Sequence, residues 1–377
     1  MSTPERHSHR GHKAPARPPL PLEIPLYGPS PALVRAVVEG LSRALPAELR
    51  VGLVADPASA LVISAPIAGA GPEVNRIRLS APAWNSDSWR AALTDCDLVL
   101  TEGRPKPGHP GVLVLGETGH AVQGDLPVTL ASAAPGLLAC VASFAHPDSL
   151  PPGIPVFSPD RVGELAALIL AHARGLLAAA PLHGLVLGGG RSARMGFDKA
   201  ALAYHGRPQT EYCLDLLRAH CGRVFLSCRA DQAEQPGFAG LPQIHDTFAD
   251  LGPMSGILSA QRAHPGTAFL VVACDLPYLD SAALAALAEG RDPFKVATAF
   301  RNPESAGRQS GLPEPLCAIY EPRAYGRALQ LLGQGLDCPR KLILNSSCAI
   351  LPAPASRSLE NANDPEAYRA ALKNLSA

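Results

Sequence analysis

The stretch Leu185-Val186-Leu187-Gly188-Gly189-Gly190-Arg191-Ser192-Ala193-Arg194-Met195-Gly196-Phe197-Asp198-Lys199 decides the fold. A short apolar run passing directly into three glycines is the pattern of a buried strand that leaves its sheet through a tight turn. Glycines there let backbone N–H groups approach a phosphate or a base, and Arg191, Arg194 and Lys199 set three cations around the same turn. A Walker A loop needs its Lys directly after the last glycine, whereas Lys199 stands nine residues past Gly190. Gly188 to Ala193 also satisfies the looser dinucleotide pattern G-x-G-x-x-A. That fold expects an acid about 20 residues on, at the end of the second strand, where this chain has Ser227-Cys228-Arg229. A plain turn with solvated basic residues explains any two of these features but not the whole loop.

Working outward, helix-period and short apolar segments alternate. The spacing predicts a helix over Gln209–Ala219, a strand over Val224–Cys228, a helix entered through Gly252–Arg262, a strand over Ala268–Cys274 and a helix over Ser281–Glu289. Before the glycine run, Ala32–Leu45 has helical spacing. Val51–Val54, Leu61–Ser64, Leu98–Leu100, Val112–Leu115 and Leu138–Val141 read as buried strands. Arg161–Leu177 reads as an amphipathic helix that Pro181 terminates. The fold class is therefore α/β, with two doubly wound, mostly parallel-sheet domains over residues 32–180 and 182–377. Residues 1–31 hold eight prolines, four Lys/Arg and His7, His9 and His12, and are expected to form a disordered tail.

Composition narrows the function. In 377 residues, 33 Lys+Arg balance 33 Asp+Glu, which removes the electrostatic reason to expect nucleic acid or an anionic membrane as partner. The longest apolar stretch, Leu165–Pro181, is interrupted by His172 and Arg174 and falls short of a bilayer span. No basic region followed by an apolar stretch opens the chain. Nine cysteines, an odd number with no C-x-x-C pair, read as reduced thiols. These features lead to the expectation of a cytoplasmic protein.

Two carboxylates fall where doubly wound sheets bind ligands, beyond the carboxyl ends of the strands. Asp275 ends the apolar run Ala268–Cys274, and Asp246 ends Ile244-His245. Alone, Asp275 reads equally as a turn or capping aspartate and as an oxygen ligand for Mg²⁺. Together with a basic glycine turn, two such carboxylates are the apparatus of metal-assisted phosphoryl or nucleotidyl transfer.

The run Leu187-Gly-Gly-Gly-x-x-x-Arg194-Met195-Gly196-x-x-Lys199 resembles the signature of molybdenum cofactor guanylyltransferases. The resemblance extends through Asp246, Gly252-Pro253-Met254-Ser255-Gly256, Cys274-Asp275-Leu276-Pro277-Tyr278, Pro313–Tyr320 and Glu360–Glu366, covering about residues 182–377. It implies a nucleotidyltransferase-type, Rossmann-like second domain using GTP, Mg²⁺ and molybdopterin. It also implies nucleotide contacts at Leu187, Gly188, Gly189, Gly190, Lys199, Asp246 and Asp275, with Asp275 on the metal and Lys199, Asp275 and Arg194 in the catalytic set. Where that family often has Asn after the second strand, this chain has Ser227 and Cys228. The first half resembles the P-loop adaptor of molybdopterin-guanine dinucleotide synthesis, through Asp97–Lys106, Val112–Leu115 and Ile154–Phe157. At the place of its phosphate loop, Tyr27–Leu33, the P-loop Lys is missing and Pro29 and Pro31 have no N–H to donate.

The reading that follows is GMP transfer from GTP to molybdopterin with pyrophosphate leaving, in a protein whose further partners are molybdoenzymes or other cofactor-biosynthesis proteins. Its rivals are a cytidylyl- or other NTP transferase of the same fold, and a non-catalytic scaffold for cofactor delivery. Because an in-line displacement rests on alignment and charge neutralisation, Asp275→Ala and Lys199→Ala should each lower turnover by ~100-fold or more. Steady-state kinetics of the two variants check this, and near-normal turnover in both refutes the assignment.

Overall fold

The structure is a computed structural model that describes residues 22–55, 76–79, 93–103, 110–115, 136–143, 150–189, 202–362 and 364–375. Its first sheet contains β1 (Leu22–Tyr27), β2 (Val51–Val54), β3 (Arg76–Leu79), β4 (Leu98–Glu102), β5 (Gly111–Val114), β6 (Leu137–Val141) and β7 (Val156–Phe157). All pairs are parallel, in the order β3-β2-β4-β1-β5-β6-β7. Helices α1 (Pro31–Ala44) and α2 (Val162–Ala178) bury Val34, Val37, Leu41, Leu165 and Ile169 in one core with Ile24 and Leu26 of β1. Ser30 caps α1, its hydroxyl accepting from Leu33 N, with Pro31 at the position where a missing N–H costs least.

The tail expected over residues 1–31 is corrected here: its last part, Leu22–Tyr27, is a central, buried strand. Leu22, Ile24 and Leu26 alternate onto the helix-covered face. Between them Glu23 is buried and accepts from the Thr101 hydroxyl. The signal was hidden by Pro25, because a proline inside an apolar alternation argues against a central strand.

After α2 and Pro181 the second sheet begins. It consists of β8 (Leu182–Leu187), β9 (Val224–Cys228), β10 (Gln243–His245), β11 (Ala268–Ala273), β12 (Ala297–Arg301), β13 (Pro313–Tyr320) and β14 (Cys348–Leu351), in the order β10-β9-β8-β11-β13-β12-β14. The first four pair in parallel, whereas β13 runs antiparallel to both β11 and β12. Successive residues of β8 and β11 enter opposite cores. Val186, Leu270 and Val272 pack with α3 (Gln209–Arg218) and α5 (Ser281–Glu289). Leu185, Leu187, Phe269 and Val271 pack with α4 (Pro253–Ala263), α6 (Ala324–Leu332) and α7 (Pro339–Leu344). Burial on both faces is why these strands read as unbroken apolar runs. The last helix, α8 (Pro365–Leu375), packs around Tyr204, whose ring meets that of Tyr368 at 5.0 Å.

None of the nine cysteines is in a disulfide, in keeping with the reduced thiols expected. Among the described residues no helix is long and apolar enough to cross a membrane. The strand expected over Leu61–Ser64 lies outside the described residues.

The tightest point of the first sheet is the turn after β1, where a Cβ on Gly28 would lie 1.9 Å from the carbonyl oxygen of Val114. Backbone on both sides leaves no soft atom to yield. Gly28→Ala should therefore destabilise the fold by ~1–3 kcal/mol or more, seen as a lower urea midpoint at unchanged m-value.

Candidate active site

Register sets the site. Leu187 of β8 lies opposite Ala273 of β11 and Ser227 of β9, while Cys228 lies opposite His245 of β10. Four parallel strands thus end at one level, and the next residues of each, Gly188-Gly189, Cys274-Asp275, Arg229 and Asp246, leave the sheet side by side. This is the carboxyl edge at which such sheets take ligands.

Asp246 is the best-defined group at this edge. Its N–H donates to the Cys228 carbonyl at 2.9 Å, and its Oδ1 accepts from Ser227 Oγ at 2.8 Å. The next residue is tied to α4, with Thr247 N donating to Ser259 Oγ at 2.8 Å. Burial pushes the Asp246 carboxyl up from its ordinary range, against a downward pull from the Ser227 hydroxyl and from Arg229 and His245. Above Ser227 sits Gly256, in the first turns of α4. A Cβ there would lie 2.3 Å from Ser227 Oγ and 2.7 Å from Leu187 Cδ2, so only glycine lets α4 close over this pair. The chain turns into α4 through Asp250 (φ +57°) and Gly252 (φ +53°).

On the other side of β8, Asp275 follows β11. Its carbonyl accepts from Ala362 N at 2.9 Å, which fixes the Glu360–Ala362 segment against the site. Val272 pairs with Cys317 across the antiparallel ladder, and continuing that register brings Glu314, at the head of β13, level with Asp275. Glu314 is buried, accepting from Leu316 N at 2.9 Å and Asn302 Nδ2 at 3.2 Å, with Arg340 Nη2 at 3.7 Å. Burial pushes its carboxyl up and the charge on Asp275 adds to the rise, while Leu316, Asn302 and Arg340 oppose it.

A MobA-like NTP transferase domain matches residues 184–348. The molybdenum cofactor guanylyltransferase of Xanthomonas euvesicatoria is 34% identical over 191 residues, 50% of this chain and 93% of that protein. The chain belongs to this family. The molybdenum cofactor biosynthesis bifunctional protein of Synechocystis is 39% identical over 188 residues, half of this chain and 53% of that protein, so the chain spans about half the length of that relative. Among solved structures, a MobB protein homolog from Bacillus stearothermophilus covers 41% of this chain and 98% of its own, at 22% identity and a TM-score of 0.28.

As a molybdenum cofactor guanylyltransferase family member the protein is a nucleotidyltransferase, and its sequence-derived residues can be placed within that frame. Leu187, Gly188, Gly189, Asp246 and Asp275 come to one edge. Gly190, Arg194 and Lys199 lie outside the described residues. One expectation is corrected. The amides of Gly188 and Gly189 both donate to the Ser227 carbonyl, at 3.0 and 2.9 Å. They fasten β8 to β9 and are not held out toward a phosphate. Sequence reasoning assigned no role to Glu314, which stands two residues before the apolar run Leu316–Tyr320 and meets Asp275 only through the antiparallel register.

Removing the Ser227 hydroxyl takes away a hydrogen bond to the ionised form of Asp246. In Ser227→Ala the carboxyl should therefore titrate higher still, so that its charge is lost earlier as pH falls. Carboxyl ¹³C shifts followed through the titration measure the direction.

Proposed function

We propose that this guanylyltransferase family member transfers GMP from GTP to molybdopterin, the terminal phosphate of the pterin attacking the α-phosphate and pyrophosphate leaving. The observation that carries the reading is the common level at which β8, β9, β10 and β11 end, with Asp246 and Asp275 on opposite sides of the glycine turn.

Asp246 is assigned to the base. A carboxylate offers two acceptor oxygens, which match the adjacent N1–H and N2–H donors of guanine. Adenine and cytosine each place an acceptor beside a donor on that edge, and would leave one carboxylate oxygen facing a lone pair. Ser227 fixes the carboxylate by donating to Oδ1, and Gly256 admits α4 close against the Ser227 hydroxyl.

Asp275 is assigned to the metal. Among the described residues no group of three His, Cys, Asp or Glu could hold an ion unaided. A carboxylate that leaves the remaining positions to triphosphate oxygens and water suits Mg²⁺, which keeps several waters and binds through one or two carboxylates. Bound there, the ion would neutralise charge on the triphosphate. Lys199 and Arg194 are assigned to the phosphates, as the cations that follow the turn. No protein nucleophile is required, since the acceptor phosphate itself attacks and the side chains align and neutralise. The acceptor enzymes that receive the product are molybdoenzymes in this reading.

Competition among GTP, ATP, CTP and XTP, with molybdopterin as acceptor, tests the assignment. GTP should be preferred by ~100-fold or more, the scale set by an unpaired polar group in a hydrogen-bonding site. Asp246→Asn should lose GTP by a similar factor and gain XTP, whose C2 carbonyl accepts from the new amide. Equal use of CTP and GTP would favour a different NTP transferase, and no transfer at all a scaffold.

A further inference from the structure

The two halves of the chain meet through a buried cluster of charges. Asp97, fully buried just before β4, accepts from Lys295 Nζ at 3.1 Å, Arg323 Nη1 at 3.2 Å, Ser347 Oγ at 3.2 Å and the amide of Arg50 at 2.9 Å. Lys295 also donates to the Glu48 carbonyl at 3.2 Å, and Arg323 Nη2 to that of Cys96 at 2.7 Å. Beside it Asp95 accepts from Ser347 N at 2.9 Å, and Thr94 donates to Gln330 at 2.7 Å. Phe294, from the second half, is buried in the core of the first, with the Arg174 guanidinium 5.5 Å from its ring centre.

The position of these residues along their strands gives the junction its meaning. Arg50 and Asp97 stand just before β2 and β4, at the amino edge of the first sheet. Lys295 stands before β12 and Ser347 before β14. Arg323 follows β13, which runs the opposite way, so it too lies at the amino edge of the second sheet. The sheets therefore meet back to back, and their carboxyl edges point away from each other. With six residues in each of β1 and β8 at ~3.3 Å per residue, those edges stand roughly 40 Å apart, farther than one bound nucleotide reaches.

Among the described residues, the turn that leads into α1 is also closed to phosphate. Where a phosphate loop would lead into α1, Pro31 has no N–H. The Leu33 and Val34 amides donate to the Ser30 side chain and carbonyl at 3.3 and 3.0 Å. Across that edge Arg35 pairs with Glu102 at 3.7 Å.

We infer that the first half is a clamp on the back of the transferase sheet, holding the amino edges of β12, β13 and β14 through Asp97 and Asp95, and that each chain takes up one nucleotide, at the second sheet alone. The fused half then passes nothing directly to the transferase site of its own molecule.

Two measurements on the full chain test this, using GTP as the probe and so resting in part on the guanylyl-transfer reading. Equilibrium dialysis should find one GTP per chain, lost in Asp246→Ala and unchanged in Glu102→Ala. A second equivalent, or binding that survives Asp246→Ala and disappears in Glu102→Ala, would overturn the inference. Thermal unfolding should show one transition in the parent chain and a Tm lower by about 5–10 °C in Asp97→Ala, as expected when a buried ion pair loses one partner. Ser347→Ala, a milder cut in the same cluster, should give a smaller drop and keep the test readable if Asp97→Ala does not fold. Unaltered unfolding in both variants would overturn the clamp. A chain that binds no GTP would contradict the guanylyl-transfer reading, and the unfolding result would still decide the clamp.

Discussion

The register of β8 against its two neighbours is the constraint on which the rest of the structure depends. With Leu187 held opposite both Ala273 and Ser227, the glycine turn, the acid after β11 and the acid after β10 must emerge together. A slip of one residue in any of these pairings would send each strand's side chains to the opposite face and unseat the packing of both cores. The cores prevent it: Leu185 and Leu187 belong to one, Val186 to the other. The amides of Gly188 and Gly189, both given to the Ser227 carbonyl, lock the last step of that register at the place where the chain leaves the sheet. Packing and hydrogen bonding far from any substrate therefore decide which side chains share the edge.

The second influence is the reversed strand. A sheet of parallel strands alone would place strand ends beside Asp275, but β13 runs the other way and brings its beginning there. That puts Glu314 level with Asp275 and charges the edge with two neighbouring carboxyls. Glu314 is held by the Leu316 amide, Asn302 and Arg340, so its cost of burial is met within the protein. Asp246, on the far side of β8, is desolvated in the same way and steadied by one hydroxyl. A divalent cation and a base with two adjacent donors are the groups that such acids accept most readily.

Much of this was legible in the amino-acid sequence, for reasons that can be named. β9 over Val224–Cys228 and α5 over Ser281–Glu289 are bounded by polar residues and carry unambiguous periods. Asp275 was visible because the seven apolar residues Ala268–Cys274 lead to it, and Asp246 because it closes the short segment Ile244-His245. β1 escaped because Pro25 breaks its alternation. β12, β13 and β14 escaped because Ala297–Arg301 mixes small with polar residues, Cys348–Leu351 is only four residues long, and two prolines open Pro313–Tyr320. Antiparallel pairing also leaves no helix between strands to mark the alternation. Glu314 was missed for the same reason: its partner across the ladder is 39 residues away in sequence and is named only by register. Nor does a glycine run announce where its amides go, and two of the three were already committed to β9.

Deuterium uptake of the full chain with and without a non-hydrolysable GTP analogue and Mg²⁺ reads the shared strand-end edge residue by residue. Exchange should slow at Leu187–Gly189, at Arg229, at Asp246 through the start of α4, and at Cys274–Leu276, which together line one edge of the second sheet. Slower exchange confined to Tyr27–Arg35 and Thr101–Gly103, at the edge of the first sheet, with the second sheet unaffected, would contradict it.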